Sequence, residues 1–231
     1  MILEIKNLTT RFGSKIVHNN LNLEVRKGEL LVLLGGSGSG KSTLIEFITD
    51  TEHSECFEGT IYWDKKEWDK SDIAYKIGLA TQNGGFLRDY TVAENIAMPL
   101  EYVAKLPRSV SLELAWANMQ LLGLDKNVFH QYPYMLSGGM MRRASIARSI
   151  VLNQELVILD EPLAGLDPIN CARMTELIRA LTPSKTVICV THQFIKADRY
   201  ALLEDGQIIV GTVEDIKKNE YGQEFMKSFQ L

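Results

Sequence analysis

"LLVLLGGSGSGKSTLIEFIT", residues 30–49, is the stretch from which the rest of the chain can be read. Its first five residues are an unbroken apolar run, which suits a central parallel strand covered on both faces. A glycine-rich turn follows at once, and then "TLIEFIT", whose apolar residues recur with helical spacing. Strand, glycine turn and helix in direct succession are the opening move of an α/β arrangement.

Working outward, "ILEIKNL" and "LNLEV" alternate apolar and polar residues as half-buried strands do, and "GTIYW" and "IGLATQ" are short strands after the first helix. From residue 84 to about 150 the character changes to helical: "TVAENIAMPLEYVA" and "VSLELAWANMQLLGL" carry helical spacing, and Thr91 with Glu94 fits a capping box. A second buried strand, "LVILD", a helix near "CARMTELIRALT" and a third such strand, "TVICVT", come next. "YALLED" and "QIIVG" form an antiparallel pair turned by Asp205-Gly206. The expected fold is α/β, with a mostly parallel sheet, an N-terminal antiparallel β-subdomain and an inserted α-helical subdomain. One domain over 1–231 is expected, with residues 212–231 as a short tail.

Composition narrows the function classes. Of 231 residues, 45% are hydrophobic and 23% charged, ordinary values for a folded globular chain. Lys plus Arg number 25 against 29 for Asp plus Glu, a net charge of -4. That balance gives no general attraction to nucleic acid or anionic lipid, so any anion must be held by a local site. Three scattered cysteines, Cys56, Cys171 and Cys189, lack metal-ligand spacing and read as buried free thiols of a reducing compartment. The N-terminus enters strand-like alternation directly, and no apolar run approaches membrane length. The expected location is therefore cytoplasmic, with any work at a membrane done through a partner.

The local site is in the opening stretch. Gly35-x-x-x-x-Gly40-Lys41-Ser42 is the P-loop pattern. Across Gly35, Gly36, Ser37, Gly38, Ser39 and Gly40, backbone N–H groups can turn inward around phosphate oxygens. The helix that opens at Lys41, Ser42 and Thr43 adds its positive end. Lys41 supplies a point charge for the β- and γ-phosphates, and the Ser42 hydroxyl suits Mg²⁺. "LVILDE" then ends a buried strand in two carboxylates. Asp160 is placed to hold Mg²⁺, and Glu161 to orient and deprotonate the attacking water of an in-line phosphoryl transfer. Read alone, the pair is equally two solvated acids capping a strand; beside a P-loop the chemical reading is preferred.

These motifs together resemble the ATP-binding cassette (ABC) family of ATPases, a P-loop NTPase fold with a RecA-like core. The order carries the resemblance: the P-loop, Gln82 at the end of "IGLATQ", "LSGG" at 136–139, the acidic strand, "AGLD" at 164–167, and His192 after "TVICVT". The resemblance implies ATP and Mg²⁺ as cofactors and a homodimer that sandwiches two nucleotides head to tail. It implies that Ser137, Gly138 and Gly139 of one copy meet the γ-phosphate held by the other. His192 would contact that phosphate as a switch, Gln82 would sense Mg²⁺, and Asp167 would tie the two sites together. Phe12 stands where the family carries an aromatic that stacks on adenine, the other reading being a core Phe between strands. His18, His53 and His130 fit no motif and are expected to be structural or surface residues. Trp63 and Trp68 are expected to pack in the β-subdomain, and Trp116 in the helical one.

A finer resemblance lies in "LSGGMMRRASIARS", residues 136–149. Most cassettes follow "LSGG" with Gln or Glu. Met140, the basic pair Arg142 and Arg143, and then Ala look like the ATPase subunits of Mce/Mla-type lipid transporters. "FLRDYTVAENIAMPL" and the C-terminal "EFMKSFQ" are similar too. That likeness implies a membrane permease, a small regulatory subunit and a lipid-binding Mce-type protein as partners. It implies the cytoplasmic face of a bacterial inner membrane as location, and no nucleic acid as ligand. Two other readings stay open: an ATPase subunit moving a small solute, and a soluble ABC ATPase acting mechanically. The segment "QFIKA" between His192 and Asp198 is shorter than the helix most cassettes carry there, and "TDTEHSECFEGTIYWDKKEWDKSD" departs from the family pattern.

Overall fold

A computed structural model of the chain describes residues 1–49, 56–68, 73–82 and 84–229. The chain forms two compact units, Met1–Ser71 with Thr182–Leu231, and Asp72–Leu181.

In the first unit, β1 (Leu3–Phe12) pairs antiparallel with β2 (Lys15–Val25), and β3 (Leu30–Leu34) is buried at all five residues. The helix α1 (Lys41–Thr49) follows six residues after β3. Then β4 (Phe57–Trp63) and β5 (Lys66–Glu67) complete an antiparallel sheet in the order β2-β1-β4-β5. The pairing of β1 and β2 is not regular. Leu8 faces Leu21 but Thr10 faces His18, so β2 carries one extra residue between these pairs. Asn20 within that stretch takes a left-handed φ of 53°, a conformation in which Asn is enriched. Trp63 and Trp68 are buried with ring centroids 5.2 Å apart, as expected from the sequence.

The second unit opens with α2 (Ile73–Lys76) and β6 (Ile77–Ala80). Two helices follow, α3 (Val92–Tyr102) and α4 (Arg108–Leu121), and after two short 3-10 turns comes α5 (Gly138–Ile150). Strand β7 (Leu156–Asp160) runs parallel to β6, and α6 (Pro168–Ala180) closes the unit. The Thr91/Glu94 capping box is formed in full: Glu94 N donates to Thr91 Oγ1, and Thr91 N to Glu94 Oε2. Asn95, 2% exposed, binds the segment before α3 with four hydrogen bonds, accepting from Leu87 N and donating to the carbonyls of Leu87, Tyr90 and Thr91. Trp116 packs edge-on against Phe129.

The chain then returns to the first unit. β8 (Thr186–Val190) and β9 (Arg199–Glu204) lie parallel to β3 on its two sides, β10 (Gln207–Gly211) pairs antiparallel with β9, and α7 (Val213–Ile216) and α8 (Glu220–Lys227) finish it. Asp205 and Gly206 both have positive φ, 46° and 76°, so the expected tight hairpin is present. The segment 191–198 contains no helix. It is tied down instead: Asp198 Oδ2 accepts from Leu30 N, Asp198 N donates to Leu30 O, and Phe194 stacks on Tyr200. The cysteine expectation needs correction. None of the three cysteines is in a disulfide, but only Cys189 is buried, while Cys56 and Cys171 are partly exposed. His130 is exposed as expected, His18 is fully buried, and His53 lies outside the described residues.

Candidate nucleotide site

The loop between β3 and α1 is bridged by the lysine that follows it. Lys41, only 8% exposed, folds back over the loop: its Nζ donates to the carbonyls of Gly35 at 2.9 Å and Gly36 at 2.8 Å. It also reaches Ser39 Oγ at 3.4 Å. The ammonium thus spans the mouth of the loop, where an entering phosphate would take over these contacts. Ser37, Gly38 and Ser42 are exposed, and Ser39, Gly40 and Thr43 partly so. Leu44 N donates to Gly40 O at 2.9 Å, so Gly40 caps α1, and the N–H groups of a helix's first turn are those that have no acceptor within the helix. In the same unit Phe12 ends β1 at 37% exposure, so its ring is not part of the core, and His192 is exposed just after β8.

The second unit carries the remaining candidates. Asp160 ends β7 and is partly exposed, and Glu161 follows in the left-handed region at φ 51°. A non-glycine residue held there stores of order 1–3 kcal/mol, and such strain concentrates at functional sites. Gln82 is exposed two residues beyond β6. The segment after it is clamped by Arg148 of α5, which donates to Gly84 O and to Gly85 O at 2.7 Å and lies over the Phe86 ring at 4.7 Å. Burial pushes the Arg148 guanidinium pKa down from its ordinary value.

Ser137 is the N-cap of α5, and its Oγ accepts from Met140 N at 3.3 Å. A hydroxyl that accepts one bond keeps its O–H to donate, so the cap leaves Ser137 able to bind a phosphate oxygen. Asp167 caps α6 in the same way, its Oδ1 accepting from Ile169 N and Asn170 N at 3.0 Å. The backbone and side-chain N–H groups of Asn170 hold its carboxyl below the usual range. The two caps line one open cleft of about 300 Å³, together with Gly138, Gly139, Arg142 and Arg173. The structure therefore brings Ser137, Gly138, Gly139 and Asp167 to one place, with Arg142 of the basic pair read in the sequence and with Arg173, which belongs to no motif. Arg148 and Asn95 stand inside quoted stretches of the sequence, but the backbone groups they hold were not read from it, and His18 is buried, in line with a structural residue.

Residues 18–164 match the family model described as "ABC transporter". The phospholipid transport ATP-binding protein MlaF of Haemophilus influenzae is 31% identical, over 95% of this chain and 87% of that one. The methionine import ATP-binding protein MetN of Campylobacter jejuni is 34% identical, over 97% of this chain and 75% of its own. Among solved structures, the ATP-binding cassette MJ0796, a dimer in a post-hydrolysis state bound to ADP and Pi, superposes with a TM-score of 0.78. It is 26% identical and covers 91% of this chain and 98% of its own. With a P-loop closed by its lysine, strained and capping carboxylates, and these matches, the chain belongs to the ABC transporter family as an ATP-binding, ATP-hydrolysing subunit.

Proposed function

We propose that this ATPase drives phospholipid transport through a membrane permease, at the cytoplasmic face of a bacterial inner membrane. The observation that supports the cargo is the near full-length likeness to MlaF, joined to the "SGGMMRRA" run of α5. In this reading residues 1–231 are one ABC ATPase domain, with a helical subdomain at about 84–150 and a short tail at 212–231. Among the described residues no helix is long and apolar enough to cross a membrane, so the permease supplies the bilayer-spanning part. A regulatory subunit and an Mce-type lipid-binding protein complete the proposed assembly.

The proposed chemistry assigns each side chain a task. The Gly35–Gly40 amides and Lys41 hold the β- and γ-phosphates, Thr43 adds to that set, and Phe12 offers a face for adenine. Ser42, Gln82 and Asp160 are oxygen donors, the hard set that Mg²⁺ prefers alongside phosphate oxygens and water. The ion would offset charge on the phosphates. Glu161 takes the proton of the attacking water, and His192 donates to the γ-phosphate. In a pair of copies, Ser137 Oγ–H and the Gly138 and Gly139 amides complete the site of the opposite copy, with Asp167 linking the two.

The test is ATP hydrolysis with and without the permease, and phospholipid transfer between liposomes. Glu161→Gln should lower the hydrolysis rate about 10²- to 10⁴-fold, the usual worth of a general base, while ATP still binds. Undiminished lipid transfer by Glu161→Gln would sink the proposal. The likeness to MetN keeps a small-solute cargo as the second reading. A soluble binding protein encoded beside this chain, in place of an Mce-type one, would favour it.

A further inference from the structure

We propose that His18 is a positioning residue of the nucleotide site. Its imidazole bridges β1 to the P-loop and fixes the Gly40–Lys41 peptide whose amide faces the phosphate. The inference rests on the nucleotide-binding reading of that loop.

His18 is 0% exposed, and both ring nitrogens are engaged: Nδ1 lies 2.8 Å from Thr10 Oγ1, and Nε2 lies 3.1 Å from the Gly40 carbonyl oxygen. A carbonyl only accepts, so Nε2 carries the hydrogen. In the neutral ring Nδ1 then accepts from the Thr10 hydroxyl. Burial holds the imidazole pKa below its ordinary 6.5, which favours this neutral form. The fit against the loop is close. Gly40 sits at φ 105°, and a Cβ there would lie 2.8 Å from His18 Nε2.

Gly40 O therefore has two donors, the imidazole and Leu44 N. A peptide unit is planar and trans, with its C=O and N–H directed oppositely. Holding the Gly40 carbonyl holds the Lys41 N–H away from it, out of the N-terminal end of α1, where a phosphate is bound. The ring itself has a fixed base. Asn19 N donates to Gly206 O at 2.9 Å, and a Cβ on Gly206 would stand 3.4 Å from His18 Cα, so the β9–β10 turn presses β2 in place. A leucine could fill the same space but would give Gly40 no donor.

The experiment uses the full chain and compares wild type with His18→Gln, His18→Asn and His18→Leu. A Gln amide reproduces the donor at Nε2, whereas Asn reproduces only the Nδ1 side. The readouts are affinity for a fluorescent ATP analogue and the split between KM and kcat. Asn and Leu should raise the Kd and KM for ATP about fivefold, the worth of one net hydrogen bond, with kcat moved less. Gln should recover most of that loss. Equal affinities in all four proteins, or Gln behaving as Leu does, would overturn the inference. Should the variants misfold, ¹⁵N-histidine spectra of wild type decide the matter. A neutral ring with hydrogen on Nε2, whose resonance moves on adding the ATP analogue, supports it; hydrogen on Nδ1 overturns it. Wild-type protein that binds no nucleotide would overturn the P-loop reading as well.

Discussion

Met140 contributes to the LSGG turn through its backbone. Ser137 Oγ accepts the Met140 N–H, so the residue after the second glycine supplies the cap donor whatever its side chain. Met140→Gln is therefore predicted to keep substantial ATP hydrolysis. Ser137→Ala loses the cap, at about 1 kcal/mol, and with it the phosphate donor; its hydrolysis rate should fall well below that of Met140→Gln. Equal rates would show that the hydroxyl does nothing in the site. His18 gives a second prediction, about pH. Its folded pKa lies below the ordinary 6.5, so the unfolded chain takes up the proton first. This contribution to stability is fully present above pH 6.5 and is lost as pH falls from there toward the folded pKa. Denaturation midpoints between pH 7.5 and 5.5 should show a drop that His18→Gln removes. Of these residues, only the motif members were legible in the sequence. Strict alternation from Leu21, Leu23 and Val25 puts position 18 on the opposite face; the extra residue near Asn20 turns it inward.

At the scale of elements, α5 does two jobs from its two ends. Its first turn carries the Ser137 cap, and its last turn holds the Gly84 and Gly85 carbonyls through Arg148. The segment just after Gln82 is thereby fastened to the helix that begins at LSGG. Arg148→Met would keep much of the volume and lose the charged donors, leaving two carbonyls in want of partners. We expect about 2 kcal/mol of stability to be lost in urea denaturation. ATP hydrolysis should also lose its response to the permease, if Gln82 senses the nucleotide as proposed. An unchanged denaturation midpoint would contradict the clamp. Caps and turns were the most legible elements, because Thr91 with Glu94 and Asp205 with Gly206 act over three residues or fewer. The Arg148 clamp spans 63 residues of sequence and leaves no local mark. The "QFIKA" segment read as a shortened form of the helix most cassettes carry, whereas the structure has no helix there, and its anchoring on β3 through Asp198 could be seen only in the structure.

For the molecule as a whole, the α/β class followed from the run 30–49, because strand, glycine turn and helix can be arranged in few ways. The cleft shared by Ser137 and Asp167 was legible as two separate motifs and not as one surface, since thirty residues part them. In the proposed function a second copy completes that surface, and the permease sets the cargo. Phospholipid transport by the assembled complex is the central claim. The direct test is ATP-dependent transfer of a labelled phospholipid between liposomes holding the permease and this subunit. Transfer that requires hydrolysable ATP and disappears with Glu161→Gln is the predicted result. Active ATP hydrolysis with no lipid moved, while a small solute crosses the same membrane, would contradict it.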